Sequence, residues 1–277
     1  EQMNLIIAFL FSASITIIGS ASVSTRPRVL VLGGTGFVGG SFISQAVIKD
    51  FDIVSISRRG KPSDLTEFTD KVTWLQGDAV DPDFIDQVLK EHGPFDACVH
   101  AVGLLFDSQS GLKPLNKYAS GSKSLASDDA TYDRITRMTA FNAIEAFTES
   151  SEGSSVVPPF LFVSAAEAGW TFDVPVDWLQ RYLVAKRAVE KKLLNDSPGL
   201  RSVIFRPSLI WTWKKPAALV SVIPFYIGSK VGLPFVDRPV LVETLVNAMV
   251  SAIECPDEKG IMNFREMDRL AALQQKL

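Results

Sequence analysis

The chain has 277 residues, a formal net charge of -3 and 47% hydrophobic residues, enough to bury a large core in one α/β domain with or without an appendage. No basic run or aromatic-basic interleaving is present, which excludes the phosphate-neutralising footprint of a nucleic-acid binder. Cys98 and Cys255, far apart in apolar surroundings, read as buried free thiols of a reducing compartment, and His92 and His100 are too few for a His-based metal centre, so no metal is expected.

The first stretch is apolar. Residues 3–18 carry no charge and are mostly Leu, Ile, Phe and Ala, and residues 19–25 are small or hydroxylated. Counted on to Val23, the run reaches the roughly 20 residues that a membrane span needs. Three roles fit: a membrane anchor, an apolar strip packed on a partner, or part of the domain's own core. Residues 1–25 are therefore set apart from a domain at 26–277. Arg26 and Arg28 follow directly, so if the segment spans, the positive-inside bias puts the domain on the matrix, stroma or cytosolic side.

Residues 29–32 are β-branched or leucine throughout, the pattern of a buried parallel strand. Gly33-Gly-Thr35-Gly36-Phe37-Val38-Gly39 follows, with glycines at i, i+3 and i+6. Gly33 falls where the strand must turn, Gly36 where a pyrophosphate needs close backbone approach, and Gly39 where the new helix packs on the sheet. The helix N-terminus would present its N–H groups to the phosphates, so a dinucleotide is expected there. A helix over 41–49 and a strand over 52–57 come next. That strand ends Ser57-Arg58-Arg59, where an acidic residue would hold the ribose 2′-OH of NAD; two arginines suit a 2′-phosphate, so NADP(H) is favoured over NAD(H).

Residues 72–75 form a third strand running into Gly77-Asp78. Asp78 is placed either beside an adenine or as the cap of the helix over 81–91. Strand four, 95–101, leads into Ala101-Val102-Gly103, a small-residue turn suited to passing under a nicotinamide ribose. His100 reads as a packed strand residue, having no acidic orienter nearby. Residues 104–130, rich in Ser, Lys and Asp, read as an extended surface loop that contacts a partner or serves function. A helix follows over 131–149, a fifth strand over 160–164 ending in Ser164, and a strong helix over 179–194 carrying Tyr182 and Lys186.

Tyr and Lys at i and i+4 share a helix face, so the ammonium can lower the phenol pKa and hold a cofactor ribose, while Ser164 can orient a substrate oxygen. This is acid–base machinery for carbonyl reduction. Strand six covers 202–205. Trp211-Thr-Trp-Lys-Lys215 and the apolar stretch 216–235 suit a membrane interface, a lipid-like substrate such as a quinone, or a small subdomain with its own core. A helix over 242–253 is amphipathic, and the tail 267–277 reads as helical and exposed unless a partner covers it.

The glycine loop, Gly77-Asp78, Ser164, Tyr182 with Lys186, and Phe205-Arg206-Pro207-Ser-Leu-Ile210 together resemble the short-chain dehydrogenase/reductase superfamily over roughly residues 28–264. The loop, the Arg206-Pro207 step and Arg238-Pro-Val-Leu-Val-Glu-Thr244 are similar to its atypical extended branch. That branch holds the 39-kDa-type accessory subunit of respiratory complex I and related mitochondrial proteins of coenzyme Q biosynthesis, with plant organellar relatives. The resemblance implies a Rossmann-type doubly wound parallel sheet with a small C-terminal extension and bound NADP(H). It also implies association with the matrix side of the mitochondrial inner membrane, or a plastid, among the subunits of a membrane complex, with little or no turnover. It places Tyr182, Lys186 and Ser164 in the catalytic positions, and Arg206 and Pro207 beside the cofactor with Lys186. Ser164 and Tyr182 stand 18 residues apart, a longer interval than is usual in the superfamily. Two functions follow as expectations: a structural or assembly subunit holding NADP(H), or an NADPH-dependent reductase of a carbonyl or quinone precursor.

Overall fold

The computed structural model describes residues 26–63, 67–116, 128–214, 226–230 and 237–274. The apolar segment 1–25 and most of the stretch 216–235 lie outside them.

The strands β1 (Arg28–Leu32), β2 (Asp52–Ser57), β3 (Val72–Gln76), β4 (Ala97–His100), β5 (Pro159–Val163) and β6 (Arg201–Phe205) form one parallel sheet with a short last strand, Gly260–Met262. With Ile210–Trp211 and Val240–Leu241 as β7 and β8, a separate two-stranded pair, that last strand is β9, and the order is β3-β2-β1-β4-β5-β6-β9. The order reverses between β1 and β4, and in open α/β sheets a ligand crevice lies at such a reversal, outside the carboxyl ends of the strands.

Helices cover both faces, which is why the central strands have no polar alternation. Val29 and Val31 of β1 face a core built with Phe42 and Ile43 of α1 (Phe37–Ile48). Leu30 and Leu32 face the opposite core, with Ile85 and Val88 of α2 (Pro82–His92). The helices α3 (Thr139–Ser150) and α4 (Asp177–Asn195) complete this second layer, through Ile144, Phe147, Val189 and Leu193. The first layer is completed by α5 (Val242–Glu254) and α6 (Phe264–Gln274), through Val246, Met249, Met267 and Leu270. Each fully buried Leu, Ile or Phe stabilises by about 1.5–3 kcal/mol, so the two faces together dominate the folding energy. No helix among the described residues is long and apolar enough to cross a membrane.

Two expectations change here. The tail does not wait for a partner: through Gln274 it is α6, packed on α5, where Ser251 Oγ donates to the Leu270 carbonyl at 2.8 Å and Gln274 Nε2 donates to Ser251 Oγ at 3.0 Å. The loop after β4 is also less of a surface loop than its composition suggests. Phe106, Asp107 and Asn116 are buried, and Asn116 brackets the Phe106 backbone, accepting from its N–H and donating to its carbonyl. Residues 117–127 lie outside the described set.

Candidate dinucleotide site

The β1–α1 loop is built on backbone contacts that side chains would block. Gly33 has φ of +87°, and a Cβ there would stand 3.0 Å from the Ala101 carbonyl and the Val102 nitrogen. The loop and the exit of β4 therefore touch backbone to backbone at the reversal of strand order. A Cβ on Gly39 would fall 2.3 Å from the Gly33 oxygen, so α1 rises at that position only without a side chain. Helix α1 has Gly36 at its N-cap, with no side-chain cap and no acidic residue in its first turn, so its positive end suits an outside anion. Phe37 and Val38 pack against the core behind the loop, and Thr35 is half-buried at its tip. Gly34, which the spacing argument passed over, is as constrained: a Cβ there would lie 2.1 Å from Ser55 Oγ.

Arg58 and Arg59 project from the tight turn after β2, where Ser57 Oγ donates to the Gly60 carbonyl at 2.8 Å. Both are exposed, and neither forms an ion pair among the described residues. Asp78 follows β3. Its Oδ1 accepts from Val80 N at 3.2 Å, and its Oδ2 lies 3.5 Å from Arg134 Nη2. The cap of α2 is Asp81, which accepts from Asp83 N and Phe84 N, so of the two uses weighed for Asp78 capping is taken by its neighbour.

At the ends of β4 and β5 the remaining residues converge. Lys186 of α4 is 4% exposed, and its Nζ donates to the Val163 carbonyl at 2.7 Å. The same nitrogen lies 3.7 Å from where a side chain on Gly103 would begin, 4.8 Å from the Phe162 ring centroid and 5.6 Å from that of Tyr182. Burial lowers its pKa to about 8, partly countered by Glu190. Ser164 Oγ, just past the end of β5, is buried without a hydrogen-bond partner among the described residues. Tyr182 stands edge-on to Tyr132, ring centroids 5.4 Å apart, and Tyr132 Oη donates to the Leu105 carbonyl. Burial raises the Tyr182 phenol pKa, and the charges of Glu167 and then Tyr132 push it further up.

Arg206 is tied elsewhere. Its guanidinium donates to both carboxylate oxygens of buried Glu190, at 2.9 and 2.6 Å, one helical turn beyond Lys186. The Pro207 carbonyl accepts from Ala166 N and so holds the 3₁₀ turn Ala166–Gly169. The structure thus brings Ser164, Tyr182 and Lys186 to one end of the sheet with Ala101, Val102, Gly103 and the glycine loop, and leaves Arg206 in a buried ion pair. Sequence reasoning missed Glu167, Tyr132 and Glu190. Only Glu190 left a trace, standing four residues after Lys186 on the same helix face.

The residues present fit a dinucleotide on three counts: a loop whose glycines leave no room for a Cβ, a helix N-terminus with no side-chain cap, and a buried ammonium with three N–H donors for which, among the described residues, the Val163 carbonyl is the acceptor shown. The loop would hold the pyrophosphate, Lys186 the nicotinamide-side ribose and the Arg58-Arg59 turn the adenosine ribose.

Comparison with known proteins supports a nicotinamide dinucleotide as the class of ligand. A family model described as NAD(P)H-binding matches residues 33–223. The chain is 28% identical to an uncharacterized chloroplastic protein of Arabidopsis thaliana, covering 88% of this chain and 77% of that one. It is 24% identical to MIOREX complex component 2 of Saccharomyces cerevisiae, covering 87% and 98%. Among solved structures it resembles a short-chain dehydrogenase/reductase from Burkholderia thailandensis, at TM-score 0.59 and 15% identity, covering 91% of this chain and 97% of that one. It also resembles the Thermus thermophilus UDP-glucose 4-epimerase, at TM-score 0.57 and 18% identity, covering 89% and 82%. These two likenesses are of fold. The chain belongs to the NAD(P)H-binding family, on a Rossmann-type fold.

Proposed function

We propose that this chain holds NADP(H) at the β1–α1 loop as a fixed ligand and serves as a structural or assembly subunit of an organellar inner-membrane complex linked to quinone chemistry. The observation that carries the reading is the state of Tyr182. A tyrosine that exchanges protons near neutral pH needs a cation to stabilise its phenolate. Here burial, Glu167 and Tyr132 all act in the opposite sense, and the net displacement is upward. Tyr182 stays protonated, able to bond a ribose or a substrate oxygen and poorly placed to release its proton.

The name of the yeast relative supports membership of a complex, and the chloroplastic relative supports an organellar address. The inner membrane and the link to quinones, with complex I or coenzyme Q biosynthesis as the settings, rest on the family resemblance and on the apolar segment 3–18. NADP(H) over NAD(H) rests on the exposed Arg58 and Arg59, which form no ion pair among the described residues. Arg58→Asp is expected to shift preference toward NAD(H) by tenfold or more in paired titrations, and unchanged selectivity would remove that arginine from the assignment.

A second reading, an NADPH-dependent reductase, is favoured by the Ser164 Oγ, unpartnered among the described residues, one residue beyond the carbonyl that holds Lys186, whose pKa lies at about 8. A reduced nicotinamide supplies hydride. Tyr182 would give its proton to the carbonyl oxygen, Ser164 would orient that oxygen, and Lys186 would hold the ribose. The two readings separate on the purified chain. Stoichiometric recovery with a membrane complex that Tyr182→Phe leaves intact and active supports the subunit. Oxidation of NADPH by a quinone or prenylated precursor, abolished by Tyr182→Phe, overturns it.

A further inference from the structure

Beneath the site lies a buried polar group that neither reading uses. His100, the last residue of β4, is fully buried, and its Nε2 stands 2.9 Å from Thr139 Oγ1. Thr139 Oγ1 donates in turn to the Ile135 carbonyl at 2.7 Å, within the π-helical turn Asp133–Met138 that leads into α3. A hydroxyl has one proton to give. With that proton on the Ile135 bond, Oγ1 meets His100 as an acceptor, and Nε2 carries the ring hydrogen. The opposite tautomer would lose the bond to Ile135 and bury a donor at Nδ1, where no partner stands. Burial, with the charge of Lys186 behind it, also keeps the ring neutral, its pKa lowered to about 3. Nδ1 is left as a bare lone pair inside the protein.

Lys186 has the complementary deficit, three N–H donors with the Val163 carbonyl as the acceptor shown. Both side chains neighbour the Phe162 ring. His100 and Phe162 are paired across β4 and β5 with ring centroids 5.6 Å apart, and Lys186 Nζ is 4.8 Å from the same Phe162 centroid. A neutral acceptor and an under-satisfied ammonium thus share one buried pocket wall.

We propose that His100 is a positioning residue for Lys186: its Nδ1 lone pair accepts from the ammonium through one bridging water, and fixes Nζ between Val163 and Gly103. The proposal rests on the dinucleotide reading, since Lys186 matters there through the ribose it would hold. It also gives the π-helical turn a task, because Thr139 is what sets the tautomer. Turns of this kind recur at functional sites.

Two replacements separate the ring's nitrogens. An Asn side chain sets its oxygen near the place of Nδ1, and a Gln side chain sets its amide nitrogen near that of Nε2. His100→Asn is expected to bind NADPH within about twofold of the unmodified chain, and His100→Gln to bind it roughly tenfold more weakly, the worth of one hydrogen bond to a charged group. The reverse ranking, or two variants equal to the unmodified chain, overturns the proposal. Long-range ¹H–¹⁵N NMR decides it without a folded variant at position 100. A neutral ring protonated at Nε2, with an Nδ1 resonance that moves in Lys186→Met, supports it; a proton on Nδ1 or an imidazolium at pH 7 overturns it. If the unmodified chain binds no dinucleotide, the ribose role of Lys186 fails, while the NMR still decides the contact.

Discussion

Arg206→Met tests whether Arg206 belongs to the scaffold or to the cofactor. Its guanidinium makes two charge-assisted bonds, of 2.9 and 2.6 Å, to Glu190, whose side chain is 5% exposed. Removing the arginine strands a buried carboxylate, and broken buried pairs cost about 3–5 kcal/mol. The Arg206 side chain is itself 21% exposed and Lys186 lies on the preceding turn of α4, so the lower end, about 3 kcal/mol, is the expected loss. Glu190→Met in the same chain removes the stranded charge and is expected to restore most of that loss, as uncharged replacements of buried pairs do. Urea unfolding followed by far-ultraviolet circular dichroism reads both quantities, with the midpoint falling and the slope unchanged. A loss below about 1 kcal/mol for Arg206→Met, or a double variant no more stable than the single one, would refute the buried-pair argument. Weakened NADPH binding at unchanged stability would return Arg206 to the cofactor.

Two further outcomes follow from the geometry. Gly39→Ala puts a Cβ 2.3 Å from the Gly33 oxygen, a backbone atom that moves only with the loop. About 1–3 kcal/mol of stability and at least tenfold in NADPH affinity should be lost together; melting temperature and titration check both, and an unperturbed variant would contradict the cradle. His100 gives an acid limb: its pKa is about 3 folded against an ordinary 6.5, so the unfolded chain binds the extra proton between those values, and stability falls as pH drops below 6.5. Two pH units in that window cost about 2–3 kcal/mol, and His100→Gln should flatten this part of the profile measured by denaturant unfolding at pH 6.5 and 4.5.

Much of the fold is legible in local sequence because its determinants are local. The β-branched run 29–32, the glycines at 33, 36 and 39 and the periodic helix around Lys186 each specify their own conformation. The pairing of Glu190 with Arg206 and of Tyr132 with Tyr182 is not local: it depends on which elements the sheet order makes neighbours. The tail read as exposed for the same reason, since the apolar face of α6 is answered by α5, a separate element reached by way of β9. In the loop after β4, a polar composition concealed Asp107 and Asn116. Both are buried because Arg181 and the Phe106 backbone meet their polar atoms. The direction of the Tyr182 shift was the least legible feature. The i, i+4 spacing names the lysine that lowers a phenol and says nothing of Glu167, whose charge acts on the phenol from the turn beyond β5.

The central claim is that the β1–α1 loop holds a nicotinamide dinucleotide. It is tested most directly by titrating the purified chain with NADPH and following the reduced-nicotinamide fluorescence, beside the same titration of Gly36→Val. One equivalent bound with a dissociation constant in the micromolar range or below, weakened at least a hundredfold in a Gly36→Val chain that still folds, is the predicted result. No binding of NADPH or NADH, or binding that Gly36→Val leaves unchanged, would contradict it.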